Sequence, residues 1–159
     1  MAGYAINPGD SAPDFELPVW PAGMLKLSDL RGRWVVLYFY PKDNTPGCTT
    51  ESCGFRDAEA DFSGIDAAIV GVSRDSLASH KKFADKFGLQ FPLISDSDEV
   101  LCNAFDVIQM KNMYGKQVRG IERSTFLIDP AGVIRAAWRK VKVDGHVAEV
   151  MTKLKELRG

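Results

Sequence analysis

No apolar run in the sequence approaches the roughly 18 residues that a membrane-spanning helix requires, so no span is expected. The stretch from Met1 to Asp10 lacks a basic segment followed by an apolar one, which argues against a secretory signal. Charge of neither sign is in excess: 20 Lys and Arg stand against 21 Asp and Glu, a formal net charge of −1. A general nucleic-acid binder carries a basic surplus, and this chain does not. Neither a Gly-x4-Gly-Lys-Ser/Thr phosphate loop nor a Gly-x-Gly-x-x-Gly fingerprint occurs. Cysteine is scarce and odd in number, with Cys48, Cys53 and Cys102 only, which disfavours a secreted disulfide framework. Repeats, low-complexity tracts and linkers are absent. What remains is 45% hydrophobic and 26% charged, the balance of a globular chain rather than a disordered one. Residues 1–159 are expected to form a single cytoplasmic domain that binds neither nucleic acid nor membrane.

The pattern of what is present is α/β. Residues 14–17 and 24–27 read as two short paired strands, with turn chemistry over residues 19–23. Residues 34–40, Trp-Val-Val-Leu-Tyr-Phe-Tyr, form a continuous β-rich apolar run of the kind buried on both faces of a sheet, and residues 67–72 read the same way. Between them Phe55, Ala58, Glu59 and Phe62 recur at helical spacing, so a βαβ unit with parallel strands is predicted. A second helix is predicted over 76–87, with Ser76 as its cap and Gly88 as its stop. A short third helix is predicted over 98–105 with Ser97 as cap, and an amphipathic last helix over 146–157. Residues 124–128 and 133–138 are expected to pair as a hairpin around Asp129-Pro130-Ala131-Gly132. The sum is a mixed sheet flanked by helices.

The informative stretch is Pro41-Lys42-Asp43-Asn44-Thr45-Pro46-Gly47-Cys48-Thr49-Thr50-Glu51-Ser52-Cys53, between the first buried strand and the first long helix. Thr45 followed by Pro46 is an N-cap followed by proline at the first helical position, which puts Cys48 in the first turn. Unpaired amides and the positive end of the helix dipole favour a thiolate there, and the thiolate is the nucleophile. The competing reading is a buried, inert cysteine, but Gly and Thr flank Cys48 rather than apolar residues. Cys53 follows five residues later. In a regular helix that spacing separates the Cα atoms by about 8–9 Å, beyond the roughly 7 Å a disulfide allows. Either the two never bridge, or the first turns unwind when they do. Structural zinc is weakly supported, because Cys102, His80 and His146 are distant and isolated as further ligands. A thioredoxin-type dithiol would need Cys-x-x-Cys, which is missing.

These residues resemble the peroxiredoxins, whose pattern Pro-x-x-x-Thr-x-x-Cys is met by Pro41, Thr45 and Cys48, with Arg123 standing where the family's distant arginine is expected. The string from Tyr38 to Thr49, with Gly71 to Ser76 and Ser79 to Phe83, is similar to the bacterioferritin comigratory protein (PrxQ) subgroup, and the similarity runs from about Gly9 to the last helix. The resemblance implies a thioredoxin-like fold with an added N-terminal β-hairpin. It implies a thiol peroxidase acting on hydrogen peroxide and organic hydroperoxides without metal, haem or other cofactor. Cys48 would be the peroxidatic cysteine, oxidised to a sulfenic acid. Thr45 would hydrogen-bond thiolate and peroxide, Arg123 would favour the thiolate and stabilise charge developing on the peroxide, and Pro41 would shape the pocket. Cys53 sits where many members of the subgroup carry the resolving cysteine, and the helix over 76–87 holds no alternative, since residue 84 is Ala84. An intramolecular Cys48–Cys53 disulfide would then be reduced by thioredoxin or glutaredoxin. Such peroxiredoxins are often monomers.

The remaining candidates have plainer readings. Glu51 suits the helix dipole or pairs with Arg123. Arg56 and Asp57 read as a solvated face, His80 as a helix-surface or packing residue, and His146 as the start of the last helix. Cys102 is expected to be buried, and residues 111–116 to be a polar loop walling the mouth of the site. Two other functions fit the same cysteines: a redox sensor whose Cys48–Cys53 switch alters partner binding, and a thiol-disulfide oxidoreductase, which the missing Cys-x-x-Cys disfavours.

Overall fold

A computed structural model describes residues 3–159 of the chain. Its frame is a seven-stranded mixed sheet. The central strand β3 (Trp34–Phe39) is the apolar run of the sequence. It pairs parallel with β4 (Ala67–Ser73) on one side and antiparallel with β8 (Ser124–Ile128) on the other. Beyond β4 lie β5 (Leu93–Ser95), then β1 (Glu16–Trp20) and β2 (Met24–Lys26); beyond β8 lies β9 (Ile134–Trp138).

Burial on both faces explains why β3 shows no polar alternation. Val35, Leu37 and Phe39 point into one apolar cluster with Ile6, Phe15, Leu101, Phe105 and Phe126. Val36, Tyr38 and Tyr40 point into the other, against Phe55 and Phe62 of α1 (Pro46–Gly64), Phe83 of α2 (Leu77–Phe87), and Val150 and Leu154 of α4 (His146–Arg158). Where β4 crosses Tyr38 the packing leaves no room for a side chain. A Cβ on Gly71 would lie 2.8 Å from Leu93 and 3.0 Å from the Tyr38 ring.

The chain's punctuation acts largely where the sequence places it. Ser76 caps α2 by accepting the Ser79 N–H at 3.1 Å, and Gly88 ends it at φ 65°. Three expectations are corrected. Val19 and Trp20 are not turn residues; they extend β1 and pair with Ile94 and Leu93, because Val19 is buried in the core and only β1 can cover that edge of β5. Helix α3 is shorter than residues 98–105, spanning Val100–Ala104, and Ser97 does not cap it. Asp96 satisfies its first amides instead, accepting from Leu101 at 3.1 Å and Cys102 at 2.7 Å. Residues 111–116 are not a plain loop but the end of a hairpin of β6 (Ile108–Met113) and β7 (Lys116–Ile121). Its tip, Tyr114-Gly115, takes positive φ at both positions, as a tight two-residue turn requires.

Candidate active site

The buried strand β3 delivers the chain into residues 41–45, which belong to no strand or helix, and these lead into α1. Pro46 occupies the first turn, where its missing N–H costs nothing. Thr45 is the N-cap residue by backbone conformation, its carbonyl accepting the Thr49 N–H at 2.8 Å. Cys48 therefore lies among the free amides of the helix N-terminus, as the sequence indicates. It is fully buried, and Cys53 is half-buried one and a half turns further on.

Arg123 comes from the opposite direction, out of the connection between β7 and β8, its backbone fixed by a 3.0 Å bond from the Val141 N–H to its carbonyl. Its guanidinium divides between two partners. Nη2 donates to the Cys48 Sγ at 3.2 Å, and Nη1 donates to the Glu51 Oε1 at 2.7 Å. Gly47 makes the approach possible, since a Cβ there would stand 3.2 Å from Nη2. Burial opposes the Arg123 charge, but Glu51 and Cys48 outweigh it and hold the guanidinium above its usual value. Burial also pushes Glu51 up to about 7, against the pull of Arg123, and the Glu51 Oε2 has no hydrogen-bond partner. Lys111 of β6 belongs to the same electrostatic neighbourhood. Its amine is lowered by burial and by Arg123, while Cys48 raises it.

Of the residues singled out in the sequence, Cys48 and Arg123 are thus brought into direct contact. Thr45 and Pro41 sit in the adjoining loop, both half-buried, and the Thr45 hydroxyl donates to the Lys42 carbonyl at 2.9 Å. Cys53 shares the unbroken helix with Cys48, and all three cysteines are free thiols. Cys102 lies apart on α3 in the other apolar cluster, where burial drives its thiol far above the ordinary range and makes it a poor nucleophile.

Two residues carry more than the sequence suggests. Of the two readings of His80, surface or packing, the structure shows packing: it is fully buried and bonded at both ring nitrogens. Its partner is Asp43 of the loop before α1, at 2.7 Å, a pairing the sequence does not indicate. No local sequence signal marks the pair, because Asp43 sits among polar loop residues and His80 among polar helix residues. A cavity of about 600 Å³ between β9 and α4 is lined by Arg135, Trp138, Glu149 and Lys153, and Cys48 and Arg123 do not line it.

Comparison with known proteins places the whole chain. Residues 8–137 match the AhpC/TSA family. The chain is 52% identical to the putative peroxiredoxin bcp of Coxiella burnetii, covering 94% of this chain and 99% of that protein. It is 56% identical to the peroxiredoxin Bcp of Xanthomonas campestris, covering 91% of each. Among solved structures, a cysteine-to-serine variant of Xylella fastidiosa PrxQ superposes with a TM-score of 0.94 at 50% identity, over 99% of this chain and 100% of that one. The Xanthomonas campestris bacterioferritin comigratory protein, solved as trapped intermediate and ligand complexes in a study of its alkyl peroxide reduction, superposes with a TM-score of 0.90 at 49% identity, again over 99% and 100%. With a family match over most of its length and relatives above 50% identity, the chain belongs to the AhpC/TSA family, among the peroxiredoxins of the Bcp type.

Proposed function

We propose that this chain is a two-cysteine thiol peroxidase that reduces hydrogen peroxide and organic hydroperoxides through Cys48 and recycles through an intramolecular Cys48–Cys53 disulfide. The observation that carries the reading is the 3.2 Å contact between Arg123 Nη2 and Cys48 Sγ at the amino end of α1. In the first step the Cys48 thiolate attacks one peroxide oxygen. An S–O bond forms, the O–O bond breaks, and the electron pair leaves on the second oxygen, which takes a proton and departs as water or alcohol. Arg123 faces the growing negative charge with a preorganised donor. Thr45 joins this donor set by rotating its hydroxyl from the Lys42 carbonyl toward the sulfur, and Pro41 walls the pocket.

In the second step the Cys53 thiolate attacks the Cys48 sulfenic sulfur, an S–S bond forms, and hydroxide leaves as water. A dithiol reductant, thioredoxin or glutaredoxin, then takes the disulfide by exchange and restores both thiols. Neither step calls for a metal or cofactor. The 159-residue chain acts as one thioredoxin-like domain, as a monomer in the cytoplasm. Among the described residues, no helix is long and apolar enough to cross a membrane.

Peroxide consumption with a thioredoxin system tests the proposal. Cys48→Ser is expected to abolish it, because oxygen in place of sulfur supplies no thiolate. Retention of more than a few per cent of the rate by Cys48→Ser would place the chemistry elsewhere.

A further inference from the structure

The five residues 41–45 connect the core strand to the peroxidatic helix, and Asn44 among them stands at φ 62°. With no backbone ladder of their own, they depend on side chains for their position. Asp43 supplies most of it. Its carboxylate is buried, and it accepts from the Tyr40 hydroxyl at 2.6 Å, the Ser79 hydroxyl at 2.8 Å and His80 Nδ1 at 2.7 Å. Its own N–H donates to Asp75 at 2.8 Å, and Asp75 in turn accepts from the Ser73 hydroxyl at 2.6 Å. One loop residue is thereby tied to β3, to the end of β4 and to the first turns of α2.

His80 completes the arrangement from α2. Its Nε2 lies 2.9 Å from the Ile94 carbonyl, and a carbonyl only accepts, so Nε2 carries a hydrogen. The Asp43 carboxylate, already taking two hydroxyl donors, also faces Nδ1. Nothing in this network bonds to Cys48. It spans the sheet from α2 to the loop, whereas Arg123 approaches Cys48 from between β7 and β8.

We infer that Asp43 and His80 are positioning residues that hold the loop before Cys48 fixed to α2, setting the distance between Cys48 and Arg123 and marking the upstream limit of the unwinding needed for the disulfide. The inference rests on the peroxidase reading above. Asp43 lies two residues before the N-cap Thr45 and five before Cys48, so a displaced Asp43 shifts the sulfur relative to an arginine that does not move with it. Reacting groups lose rate steeply for displacements of about 1 Å. When the first turns of α1 open, the same anchor keeps the disturbance out of β3.

The test compares two isosteric variants. His80→Asn keeps a donor toward Asp43 and loses the Ile94 bond; His80→Gln reaches the Ile94 carbonyl and loses Asp43. Two rates are read on the folded protein, each extrapolated from its pH profile to full ionisation of Cys48: oxidation by hydrogen peroxide, which needs Arg123 placed to meet the charge on the breaking O–O bond, and alkylation by iodoacetamide, which needs only an accessible thiolate. His80→Gln is expected to slow the peroxide reaction about 10- to 100-fold while alkylation stays within about threefold, and His80→Asn is expected to restore the peroxide rate to within about threefold of the natural protein. Equal peroxide rates in the two variants, or equal proportional losses in both reactions, would overturn the inference. Should His80→Gln fail to fold, Tyr40→Phe removes another bond to Asp43 without changing the apolar packing. A peroxide rate at least threefold lower supports the anchor, and an unchanged rate overturns it. A natural protein whose Cys48 does not react with peroxide would overturn the peroxidase reading itself, an outcome distinct from any seen in the variants.

Discussion

The two terminal guanidinium nitrogens of Arg123 serve two partners. Nη2 donates to the sulfur and Nη1 to the Glu51 carboxylate, and burial pushes Glu51 up to about 7 from an ordinary 4.5. The sign of the stability effect follows from linkage. Between those two values the folded protein holds a proton that the unfolded chain has released. The contribution of Glu51 is therefore fully present below about 4.5 and is lost as pH rises through about 7, by about 3 kcal/mol at 1.36 kcal/mol per unit. His146 acts in the opposite sense: burial lowers it from 6.5, so its contribution is present above 6.5 and lost as pH falls. Glu51→Gln keeps an acceptor for Arg123 and removes the ionisation. Denaturant unfolding at a series of pH values is expected to show the loss of stability between about 4.5 and 7 present in the natural protein and absent from the variant. Parallel profiles for the two would show that Glu51 does not titrate in that window.

At the scale of one element, α1 carries two demands that conflict. As a helix it presents Cys48 at its amino end and buries Phe55 and Phe62 against β3. On the proposed two-cysteine mechanism it must also open, because about 8–9 Å between the Cys48 and Cys53 Cα atoms exceeds what a disulfide spans. The large apolar anchors lie beyond Cys53: Phe55, Phe62 and the close contact of Gly54 with Val147 of α4, where a Cβ would stand 3.0 Å away. Opening from Pro46 to Cys53 leaves these anchors in place, but it exposes the buried Cys48, Glu51 and Ser52 and breaks the Ser52–Tyr38 and Glu51–Arg123 bonds. Cys53→Ser is expected to oxidise once at the natural rate and then stall, with sulfenic and sulfinic Cys48 accumulating under excess peroxide in mass spectra. Steady-state turnover of this variant with thioredoxin at the natural rate would remove Cys53 from the mechanism. The helix, its cap and its cysteines were legible because Thr45-Pro46 and the spacing of Phe55, Ala58 and Phe62 are local signals. The hairpin β6–β7 was not, because Met110, Met113, Tyr114 and Val118 are exposed and show no core-facing alternation.

For the whole molecule, the sheet order was legible only in part. The apolar runs at 34–40 and 67–72 announce a doubly covered parallel pair, and the turn at Asp129-Pro130-Ala131-Gly132 announces the hairpin of β8 and β9. The three-residue β5 carries no period to read, and its pairing with β1 is a long-range choice made by Val19 seeking the core. The site divides the same way. Cys48 and Cys53 belong to one local segment, while the meeting of Cys48 with Arg123 spans 75 positions and that of Asp43 with His80 spans 37. The fold exists to bring such separated residues together, and the central claim concerns what one of those meetings does. Peptide mass mapping after one equivalent of hydrogen peroxide, with free thiols trapped by alkylation, tests it most directly. The account predicts a Cys48–Cys53 disulfide formed rapidly, with Cys102 left as a free thiol. Recovery of Cys48 and Cys53 as free, alkylatable thiols would contradict it.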